Sequence, residues 1–318
     1  MSVLLTGASG FLGSQILIIA RQRGEKIRPV YRSIISTNGD PEAVLMSGLD
    51  SETDWSHALE GIDVVIHSAA RAHIMREEAL NPLAEYRCVN VEGTLNLARQ
   101  AAASGVRRFV FISSIKVNGE ATVPGRPFTA DDTPDPQDAY GVSKAEAESQ
   151  LKQVAQDTGM EVTIIRPPLI YGPGVKGNFA SLIGWIRRGL PLPLRGVTNN
   201  RRSLVGLQNL VDLILVCAHH YKAGNQIFLI SDGEDLSTAE LLRKIGKALG
   251  RPARLLWLPE GVLSFMSCLL GKERVSQRLL GSLQVDICKT CDLLDWRPSV
   301  TLDEGLRGAV EARYVSGI

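Results

Sequence analysis

The run Tyr140-Gly-Val-Ser-Lys144 places a phenol and an ammonium group four residues apart. We predict a helix over Ala139–Thr158, and residues four apart lie on one helical face, so the two groups can meet. A free tyrosine has a pKa of about 10, and a neighbouring cation favours the phenolate and lowers that value. The pair is therefore predicted to move a proton to or from a hydroxyl group near neutral pH.

Ser114 is the next candidate catalytic residue. It directly follows the predicted strand Arg108–Ser113, where its hydroxyl would hydrogen-bond the same oxygen that the tyrosine protonates. The Tyr-x-x-x-Lys spacing alone is common on solvated helix faces. The interpretation therefore depends on the serine and on a glycine-rich turn at the start of the chain.

That turn is Thr-Gly-Ala-Ser-Gly-Phe-Leu-Gly, between the predicted strand Val3–Thr6 and the predicted helix Gly13–Gly24. Its glycines allow a tight turn, close approach of the backbone to a pyrophosphate, and close packing of the helix on the strand. The helix N-terminus offers free N–H groups and the positive end of its dipole to phosphate oxygens. The turn predicts a dinucleotide site with these cofactor contacts: Gly7, Ser9, Gly10, Phe11, Leu12 and Gly13.

The end of the second predicted strand, Ile27–Tyr31, bears on which nicotinamide dinucleotide is bound. NAD sites of this type carry an acidic residue here that binds the adenosine ribose. This chain has Arg32 and Ser33 instead, an arginine suited to a 2′-phosphate and a serine that can add a hydrogen bond. We therefore expect NADP(H) in preference to NAD(H), with stacking of Arg32 on the adenine as the alternative.

Two later segments complete the predicted cofactor site. Asp50 ends a short predicted strand near Val44–Asp50 and is expected to accept from the adenine amino group or to cap a helix. The next predicted strand ends in Ser68, Ala69 and Ala70, which are small enough for the cofactor ribose to approach the backbone.

Strand-like and helix-like segments alternate through the first half of the chain. Several strands are continuously apolar, as expected when helices cover both faces of a parallel sheet. The alternation predicts an α/β fold with a Rossmann-type doubly wound parallel sheet. After Arg166, prolines and glycines punctuate a looser region. We predict a dinucleotide-binding domain over 1–166 and a smaller substrate-binding lobe over 167–318, with parts of 203–230 returning to the first domain.

The composition disfavours several other classes of protein. Lys and Arg number 35 against 34 Asp and Glu, so no general attraction to nucleic acid is expected. The five cysteines are scattered, and the Cys288-x-x-Cys291 pair lacks partners at ligand spacing, so no metal is predicted. No leader precedes Val3 and no apolar stretch reaches membrane-span length, which predicts a cytoplasmic protein without a membrane span. The apolar segment Val262–Leu270 is interpreted as a core or lid helix, because no basic face accompanies it.

Several motifs in succession resemble one enzyme family. They are TGASGFLG at the start, DVVIHSAA (Asp63–Ala70), VNVEGTLNL (Val89–Leu97), FISSIKVNGE (Phe111–Glu120), YGVSK (Tyr140–Lys144) and RPPLIYGPG (Arg166–Gly174). Together they resemble the extended short-chain dehydrogenases/reductases, in the NAD-dependent epimerase/dehydratase family. The resemblance implies that Ser114, Tyr140 and Lys144 are catalytic and that Pro167 contacts the cofactor. It also implies a homodimer formed by the helices around 83–104 and 139–158.

The resemblance further implies residues that bind a nucleotide-linked sugar, with UDP as the expected nucleotide. Asn178 and Arg202 match positions that hold its diphosphate, although a surface ion pair is the alternative for Arg202. Arg278 is the candidate for a second family arginine. His73 and Lys116 are expected near the sugar, where His73 would orient it and Lys116 would favour the phenolate of Tyr140. The alternatives are a satisfied polar histidine and a solvated lysine.

Two reactions at carbon 4 of the sugar use this set of residues. A 4-keto reductase delivers one hydride and exchanges its cofactor, converting a UDP-4-keto-6-deoxy-N-acetylhexosamine to UDP-N-acetylquinovosamine or a similar sugar for surface polysaccharide. A 4-epimerase oxidises and re-reduces the carbon with one tightly held cofactor. Because Arg32 suits NADPH, the sequence favours the reductase, with the epimerase as the alternative.

Other reactions and roles are less favoured. A 4,6-dehydratase needs an acid and a glutamate after Ser114, where this chain has Ile115 and Lys116. A non-catalytic NADPH-binding regulator is disfavoured because the serine, tyrosine and lysine are all retained. A lipid or steroid dehydrogenase would leave Asn178 and Arg202 without a role.

Overall fold

Strands and helices alternate through most of the chain in a computed structural model, which describes residues 1–37, 39–72, 81–259, 261–263, 277 and 279–315, with side chains to residue 311. The strands are β1 (Ser2–Thr6), β2 (Lys26–Tyr31), β3 (Val44–Leu45), β4 (Val64–His67), β5 (Arg108–Ile112), β6 (Glu161–Arg166), β7 (Leu169–Tyr171), β8 (Leu204–Gly206) and β9 (Ile227–Leu229). The helices are α1 (Phe11–Gln22), α2 (Ser56–Leu59), α3 (Pro82–Arg87), α4 (Thr94–Ala103), α5 (Ala139–Thr158), α6 (Gly177–Arg187), α7 (Leu207–His219), α8 (Thr238–Ala248), α9 (Cys288–Leu294) and α10 (Leu302–Val315). Short 3₁₀ turns cover Ile34–Thr37, Ile115–Val117 and Tyr221–Ala223, and a π-helical turn, Cys88–Gly93, joins α3 to α4.

The main sheet has seven parallel strands in the order β3-β2-β1-β4-β5-β6-β9. The chain builds outward from β1 through β2 and β3, then crosses back to place β4 on the other side of β1. In open α/β sheets, ligands bind beyond the carboxyl ends of the strands at such a switch point. The doubly wound fold predicted from the sequence is confirmed.

The two faces of the sheet are covered by different helices, because successive strand residues point to opposite sides. In β1, Val3 and Leu5 pack into a cluster with residues of α1 and α7. Leu4 points the other way, into a cluster with residues of α4 and α5. All three side chains are buried, and each such burial contributes about 1.5–3 kcal/mol. This two-sided burial explains the continuously apolar strands.

Two predicted elements are shorter or less regular than expected. The helix predicted over Leu83–Gly105 is divided by the π-helical turn. Gly93 in that turn lies so close to the preceding loop that an added Cβ would be 2.5 Å from the carbonyl oxygen of Leu49. The strand predicted near Val44–Asp50 is only β3, after which the chain turns away from β2. Hydrophobic periodicity does not reveal either feature, since both depend on contacts between distant segments.

The residues after β6 form a second, smaller layer beside the sheet. β7 and β8 pair in parallel outside the main sheet. α6, α8 and α10 surround a separate apolar cluster that includes Phe179, Ile183, Leu242 and Leu306. α7 and β9 instead lie with the main sheet, since β9 pairs with β6 and α7 packs beside α1. No helix in the described part of the chain has both the length and the apolar character needed to cross a membrane.

Candidate active site

The glycine-rich turn connects β1 to α1 at the carboxyl edge of the sheet. Gly7 has a φ of +75°, a left-handed conformation that favours glycine. A Cβ on Gly7 would lie 2.8 Å from the backbone nitrogen of Ala69, and a Cβ on Gly13 would lie 2.1 Å from the carbonyl oxygen of Gly7. The N–H of Gly10 donates to the same carbonyl at 2.9 Å. A larger residue at Gly7 or Gly13 would therefore displace the turn.

The first turn of α1 has N–H groups suited to a phosphate. Gly10 precedes the helix and supplies no side-chain cap. The first N–H groups of a helix have no carbonyl partner one turn earlier, and the helix dipole adds partial positive charge. Ser9 and Gly10 are exposed, and Phe11 and Leu12 are half-buried. The outer side of the turn is thus accessible to a ligand.

The end of β4 lies directly against this turn. The hydroxyl of Ser68 donates to the carbonyl of Thr6 at 2.7 Å, and the N–H of Ala69 donates to the Thr6 hydroxyl at 3.4 Å. Ala70 is exposed. The small residues predicted to admit the cofactor therefore lie beside the glycine turn, at the switch point of the sheet.

The other predicted cofactor contacts differ in whether their side chains already form hydrogen bonds within the protein. These contacts are Arg32, Ser33 and Asp50. Arg32 and Ser33 are exposed directly after β2, and the Arg32 guanidinium makes no hydrogen bond or ion pair within the described residues. The Asp50 carboxylate accepts from the Thr53 hydroxyl at 2.8 Å and from the N–H of Glu52 at 3.0 Å. These bonds hold the pKa of Asp50 below its usual value. Asp50 thus stabilises a loop turn rather than a helix N-terminus.

Ser114 lies just beyond β5, in a turn that two neighbours hold in place. Its hydroxyl oxygen accepts from the N–H of Lys116 at 3.3 Å. The carbonyl of the buried Pro167 accepts from the N–H of Ile115 at 3.0 Å. Among the described residues the serine hydroxyl donates to no acceptor, so its proton is available for another oxygen.

Tyr140 lies in the first turn of α5. The helix is capped by Asp138, whose carboxylate accepts from the N–H of Gly141 at 2.7 Å. The phenol packs edge-on against Tyr86, with ring centres 6.0 Å apart. Burial raises the pKa of the Tyr140 phenol, and the negative charge of Asp138 raises it further. The protein's own groups therefore oppose the lowered pKa expected from the sequence, and a cation beside the phenol is needed to reverse this.

Lys144 is almost fully buried one turn further along α5. Its ammonium donates to the carbonyl of Ile112 at 2.8 Å and lies 4.3 Å from the centre of the Phe111 ring. Burial lowers the pKa of Lys144 to about 7, an effect that the nearby Glu148 opposes. In the described structure Lys144 does not hydrogen-bond Tyr140. The predicted pair thus shares a helix, but each member contacts a different neighbour.

A buried histidine that the sequence analysis did not select lies beneath the site. His67 ends β4 and lies between the hydroxyls of Thr6 at 2.8 Å and Thr94 at 3.0 Å. Its ring stacks on Phe111. Burial lowers the pKa of His67 to about 3, and the charge of Lys144 acts in the same direction. The imidazole is therefore neutral at ordinary pH and ties together the strand ends that carry the site.

A buried ion pair supports the same strand ends from α5. The guanidinium of Arg166 pairs with Glu148 at 2.5 Å, with side-chain exposures of 1% and 3%. Glu148 also accepts from the Ser113 hydroxyl at 2.5 Å, and Arg166 donates to the Asn118 side chain at 3.0 Å. The pair therefore links α5 to the ends of β5 and β6.

The sequence analysis missed these supporting residues, although one signal was present. Glu148 follows Lys144 by one helical turn, so Tyr140, Lys144 and Glu148 form a row on one face. Asn90 gave no such signal, because it lies in the π-helical turn. Its side chain bonds the backbone of Arg71 and the hydroxyl of Ser143, which fixes α5 against that turn.

Lys116 has carboxylate neighbours on two sides. Its ammonium pairs with Asp138 and lies 3.4 Å from Glu120. Asp138 is also the carboxylate that raises the pKa of Tyr140. The electrostatic support for a phenolate that the sequence analysis assigned to Lys116 is therefore offset by its partners.

The remaining candidate substrate residues lie on the smaller layer or outside the described residues. Asn178 is exposed in the first turn of α6. Arg202 is half-buried and donates to the carbonyl of Gly281 at 3.1 Å. His73 and Arg278 both fall outside the described residues.

Comparison with known proteins places the chain in a family. The sequence profile of the NAD dependent epimerase/dehydratase family matches residues 3–231. The chain belongs to this family. The resemblance seen in the sequence motifs is confirmed, and the family is one of enzymes that use a nicotinamide cofactor.

Individual relatives agree with this family membership. A Vibrio cholerae protein described as UDP-glucose 4-epimerase is 46% identical over 312 residues, which cover 98% of this chain and 95% of that protein. The fold is similar to that of the UDP-glucose 4-epimerase of Thermotoga maritima solved with UDP-glucose, with a TM-score of 0.78 and 23% identity over 99% of both chains. It is also similar to MoeE5 solved with UDP-glucuronic acid and NAD, with a TM-score of 0.78 and 25% identity over 99% of this chain and 100% of that one.

The site residues of this family member fit a nicotinamide dinucleotide. The glycine turn leaves no room for a Cβ at Gly7 or Gly13, and the first N–H groups of α1 are uncapped. Ser68 and Ala69 bring a second strand end against the turn without a bulky side chain. Arg32 adds, at the end of β2, a cation that pairs with no residue in the described part of the chain.

Proposed function

We propose that this family member is a 4-epimerase of a UDP-linked hexose, of the UDP-glucose/UDP-galactose type or the N-acetyl forms. The observation that carries the proposal is the 46% identity to the Vibrio cholerae UDP-glucose 4-epimerase over nearly the whole of both chains. The 4-keto reductase favoured by the sequence becomes the second candidate, because this full-length relative is described as an epimerase.

In the proposed reaction, bound nicotinamide supplies the acceptor and donor of hydride at carbon 4. Tyr140 takes the proton of the 4-hydroxyl group and later returns one. Ser114 donates its free proton to the same oxygen and holds that oxygen in place. Lys144, on the same helix, would favour the phenolate of Tyr140 while it carries its proton, and burial lowers the pKa of this lysine to about 7.

The nucleotide end of the substrate must stay fixed while the sugar turns over between oxidation and reduction. Asn178 and Arg202 are proposed to bind the diphosphate, with the guanidinium forking onto phosphate oxygens. The hydrogen bond from Arg202 to the Gly281 carbonyl fixes the position of the guanidinium. His73 and Arg278 are kept as proposed substrate contacts. A 4,6-dehydratase remains disfavoured, because Ile115 and the ion-paired Lys116 follow Ser114.

The 4-keto reductase is the second candidate because of Arg32. This arginine is exposed at the end of β2 and pairs with none of the described residues, which suits a 2′-phosphate and hence NADPH. MoeE5, by contrast, was solved with NAD, and the proposed epimerase would use NAD in a closed cycle.

Titration of the Arg32→Ala variant with each dinucleotide tests the expected preference for NADP(H) over NAD(H). If Arg32 binds a 2′-phosphate, the variant should lose about tenfold or more in NADPH affinity with little change for NADH, since a bond to a charged group contributes about 1.5–3 kcal/mol. Arg99→Ala, at an exposed arginine on α4, is the matched control. Equal effects on both dinucleotides would assign Arg32 to adenine stacking instead.

A product assay tests the proposed function directly. Purified protein is incubated with UDP-glucose, and in parallel with UDP-N-acetylglucosamine, and the nucleotide sugars are separated by chromatography. We expect the carbon-4 epimer of the supplied sugar to form without stoichiometric consumption of cofactor. Consumption of NADPH with UDP-4-keto-6-deoxy-N-acetylglucosamine, and no inversion of either hexose, would instead establish the reductase.

The organisation of the chain is part of the proposal. Residues 1–166 would hold the dinucleotide and 167–318 the nucleotide sugar, with α7 and β9 contributing to the main sheet. A homodimer through α3, α4 and α5 is also proposed, in keeping with the family resemblance. Light scattering coupled to size-exclusion chromatography would show a mass near twice that of the chain.

A further inference from the structure

The smaller layer carries an exposed surface built from two segments that are distant in the chain. The N–H of Leu192 donates to the carbonyl of Arg254 at 2.9 Å, and the N–H of Leu256 donates to the carbonyl of Leu192 at 2.8 Å. These bonds join residues 185–196, which include the end of α6, to residues 251–257. We call the joined segments the lobe patch.

The lobe patch exposes large apolar side chains. The exposed fractions are 66% for Trp257, 52% for Leu256, 43% for Leu190 and 40% for Trp185. Leu192, from the same segments, is buried in the lobe's own apolar cluster. The exposed apolar side chains are therefore not part of the lobe's core. Clusters of exposed apolar groups on a protein mark interaction surfaces.

The same two segments contain several arginines and no acidic residue. Arg188, Arg195 and Arg254 are exposed and form no side-chain hydrogen bond or ion pair with the described part of the chain. The backbone N–H of Arg195 donates to the carbonyl of Leu256 at 3.0 Å, which places this cation beside the exposed leucine and tryptophan. Positive charge and apolar surface are therefore interleaved.

A basic cavity adjoins the lobe patch at the end of α8. It has a volume of about 290 Å³, and its lining includes Arg243, Lys247 and Arg251. Arg251 also donates to the carbonyl of Arg187 at 2.7 Å, which fixes the cavity against the end of α6. The lining itself contains no acidic residue, but Asp303 lies 3.8 Å from the Lys247 ammonium. Arg243 and Arg251 are therefore the cations that would bind a phosphate group.

We propose that the lobe patch binds the surface of a bilayer that contains anionic phospholipids. Tryptophan favours the headgroup region because its ring is apolar and its N–H is polar, and exposed leucines gain free energy on leaving water. Arginines near an anionic bilayer add electrostatic attraction, and no acidic residue in these segments opposes it. The basic cavity would receive a lipid phosphate. This surface lies outside the proposed active site, and the inference does not depend on the reaction.

Nucleic acid is the main rival occupant, because arginine and tryptophan also contact phosphates and bases. A bilayer fits better, since Leu190 and Leu256 would remain in water on a nucleic acid. The lobe patch has no signal in the sequence alone, because its arginines come from two segments that only the fold brings together. Of the apolar segment Val262–Leu270, Val262 and Leu263 are described and the rest lies outside the described residues.

Co-sedimentation with vesicles tests the proposal. The full chain is mixed with vesicles of phosphatidylcholine alone, or of phosphatidylcholine with phosphatidylglycerol, at low and high salt. We expect binding to the anionic vesicles only, weakened by salt. The tryptophan emission should shift to the blue on binding, because Trp185 and Trp257 are exposed while Trp55 and Trp296 are already buried.

Matched variants locate the binding surface. Arg254→Glu and Trp257→Ser should each lower vesicle partitioning about tenfold or more. Lys26→Glu at the start of β2 and Tyr221→Ser before β9 change an exposed cation and an exposed aromatic outside the lobe patch, and both should bind like the wild type. Near-UV circular dichroism checks that each variant is folded. If Arg254→Glu does not fold, the milder substitution Arg254→Gln replaces it.

Several results would overturn the proposal. One such result is that the wild-type chain does not bind anionic vesicles at low salt. Another is that the patch variants and the control variants weaken vesicle binding equally. Binding to single-stranded nucleic acid without binding to vesicles would also overturn it. So would self-association that buries the two exposed tryptophans while vesicles have no effect.

Discussion

At the residue scale, burial shifts the pKa values of Tyr140 and Lys144 in opposite directions. The pKa of Tyr140 rises, and that of Lys144 falls to about 7. Both shifts favour the uncharged form of the side chain. Asp138 acts with burial on the tyrosine, whereas Glu148 acts against burial on the lysine. The phenolate of Tyr140 is therefore favoured only beside a cation, so the proposed proton transfer is expected to require a bound, positively charged nicotinamide.

Replacement of Tyr140 by phenylalanine should remove proton transfer and leave binding intact. We expect kcat for carbon-4 inversion to fall about 10²- to 10⁴-fold, with little change in KM. Tyr86→Phe is the matched control, because that ring packs edge-on against Tyr140. Retention of kcat in Tyr140→Phe, or an equal loss in Tyr86→Phe, would contradict the role given to Tyr140.

The lowered pKa of Lys144 predicts a pH dependence of stability. Between about pH 7 and its ordinary pKa of 10.5, the unfolded chain binds a proton at Lys144 that the folded chain does not. Lys144 therefore makes the free energy of unfolding rise with pH in this window, by up to about 1.4 kcal/mol per pH unit. Below pH 7 the lysine is protonated in both states and this dependence ends.

Denaturant unfolding at several pH values measures this effect. Lys144→Met should be more stable relative to the wild type at pH 7 than at pH 10, because the variant lacks the buried ammonium. Lys152→Met, at an exposed position of the same helix, should differ from the wild type by a constant amount. A constant difference for Lys144→Met as well would show that its pKa is not lowered.

At the element scale, α5 positions the site because it is joined to the ends of two strands, β5 and β6. Lys144 reaches the end of β5, and Glu148 reaches both Ser113 and Arg166. The cap at Asp138 sets where the helix begins. The proposed chemistry therefore depends on a helix whose Lys144 and Glu148 side chains are held by bonds to the strand ends.

The buried ion pair of Glu148 on α5 with Arg166 on β6 should contribute far more to stability than the exposed pair of Glu146 on α5 with Arg87 on α3. Arg166→Met leaves Glu148 charged and buried, which should lower the free energy of unfolding by about 3–5 kcal/mol. Arg87→Met breaks the exposed pair with Glu146 and should have a much smaller effect. Thermal and urea unfolding give both values. Similar losses for the two variants would mean that burial does not govern the strength of these pairs.

Several helices and strands could be predicted from local sequence signals. The remaining elements depend on contacts between segments that are distant in the sequence. The bounds of α5 agree with the prediction, because its Asp138 cap and the glycine after Thr158 are local signals. The π-helical turn was not predicted, since it depends on the approach of Gly93 to Leu49. The candidate catalytic residues were selected by spacing, whereas His67 and Asn90 became visible only through the neighbours that burial gives them.

At the scale of the whole molecule, the switch point of the sheet brings the glycine turn and the end of β4 together. The sequence predicted the main sheet because each strand carries its own apolar run. It predicted the smaller layer less fully, since that layer is assembled from short segments whose pairing, such as Leu192 with Arg254, has no local signal. The positions of Asn178 and Arg202 on this layer suit a nucleotide sugar that spans both parts.

Isotope tracing tests the proposed 4-epimerase most directly. UDP-glucose deuterated at carbon 4 is incubated with the protein in ordinary water, without added NADPH, and the products are examined by NMR and mass spectrometry. We expect UDP-galactose that keeps the deuterium at carbon 4, because the hydride that leaves this carbon returns to it on the same protein molecule. Loss of that deuterium, or product formed only with stoichiometric consumption of NADPH, would contradict an epimerase.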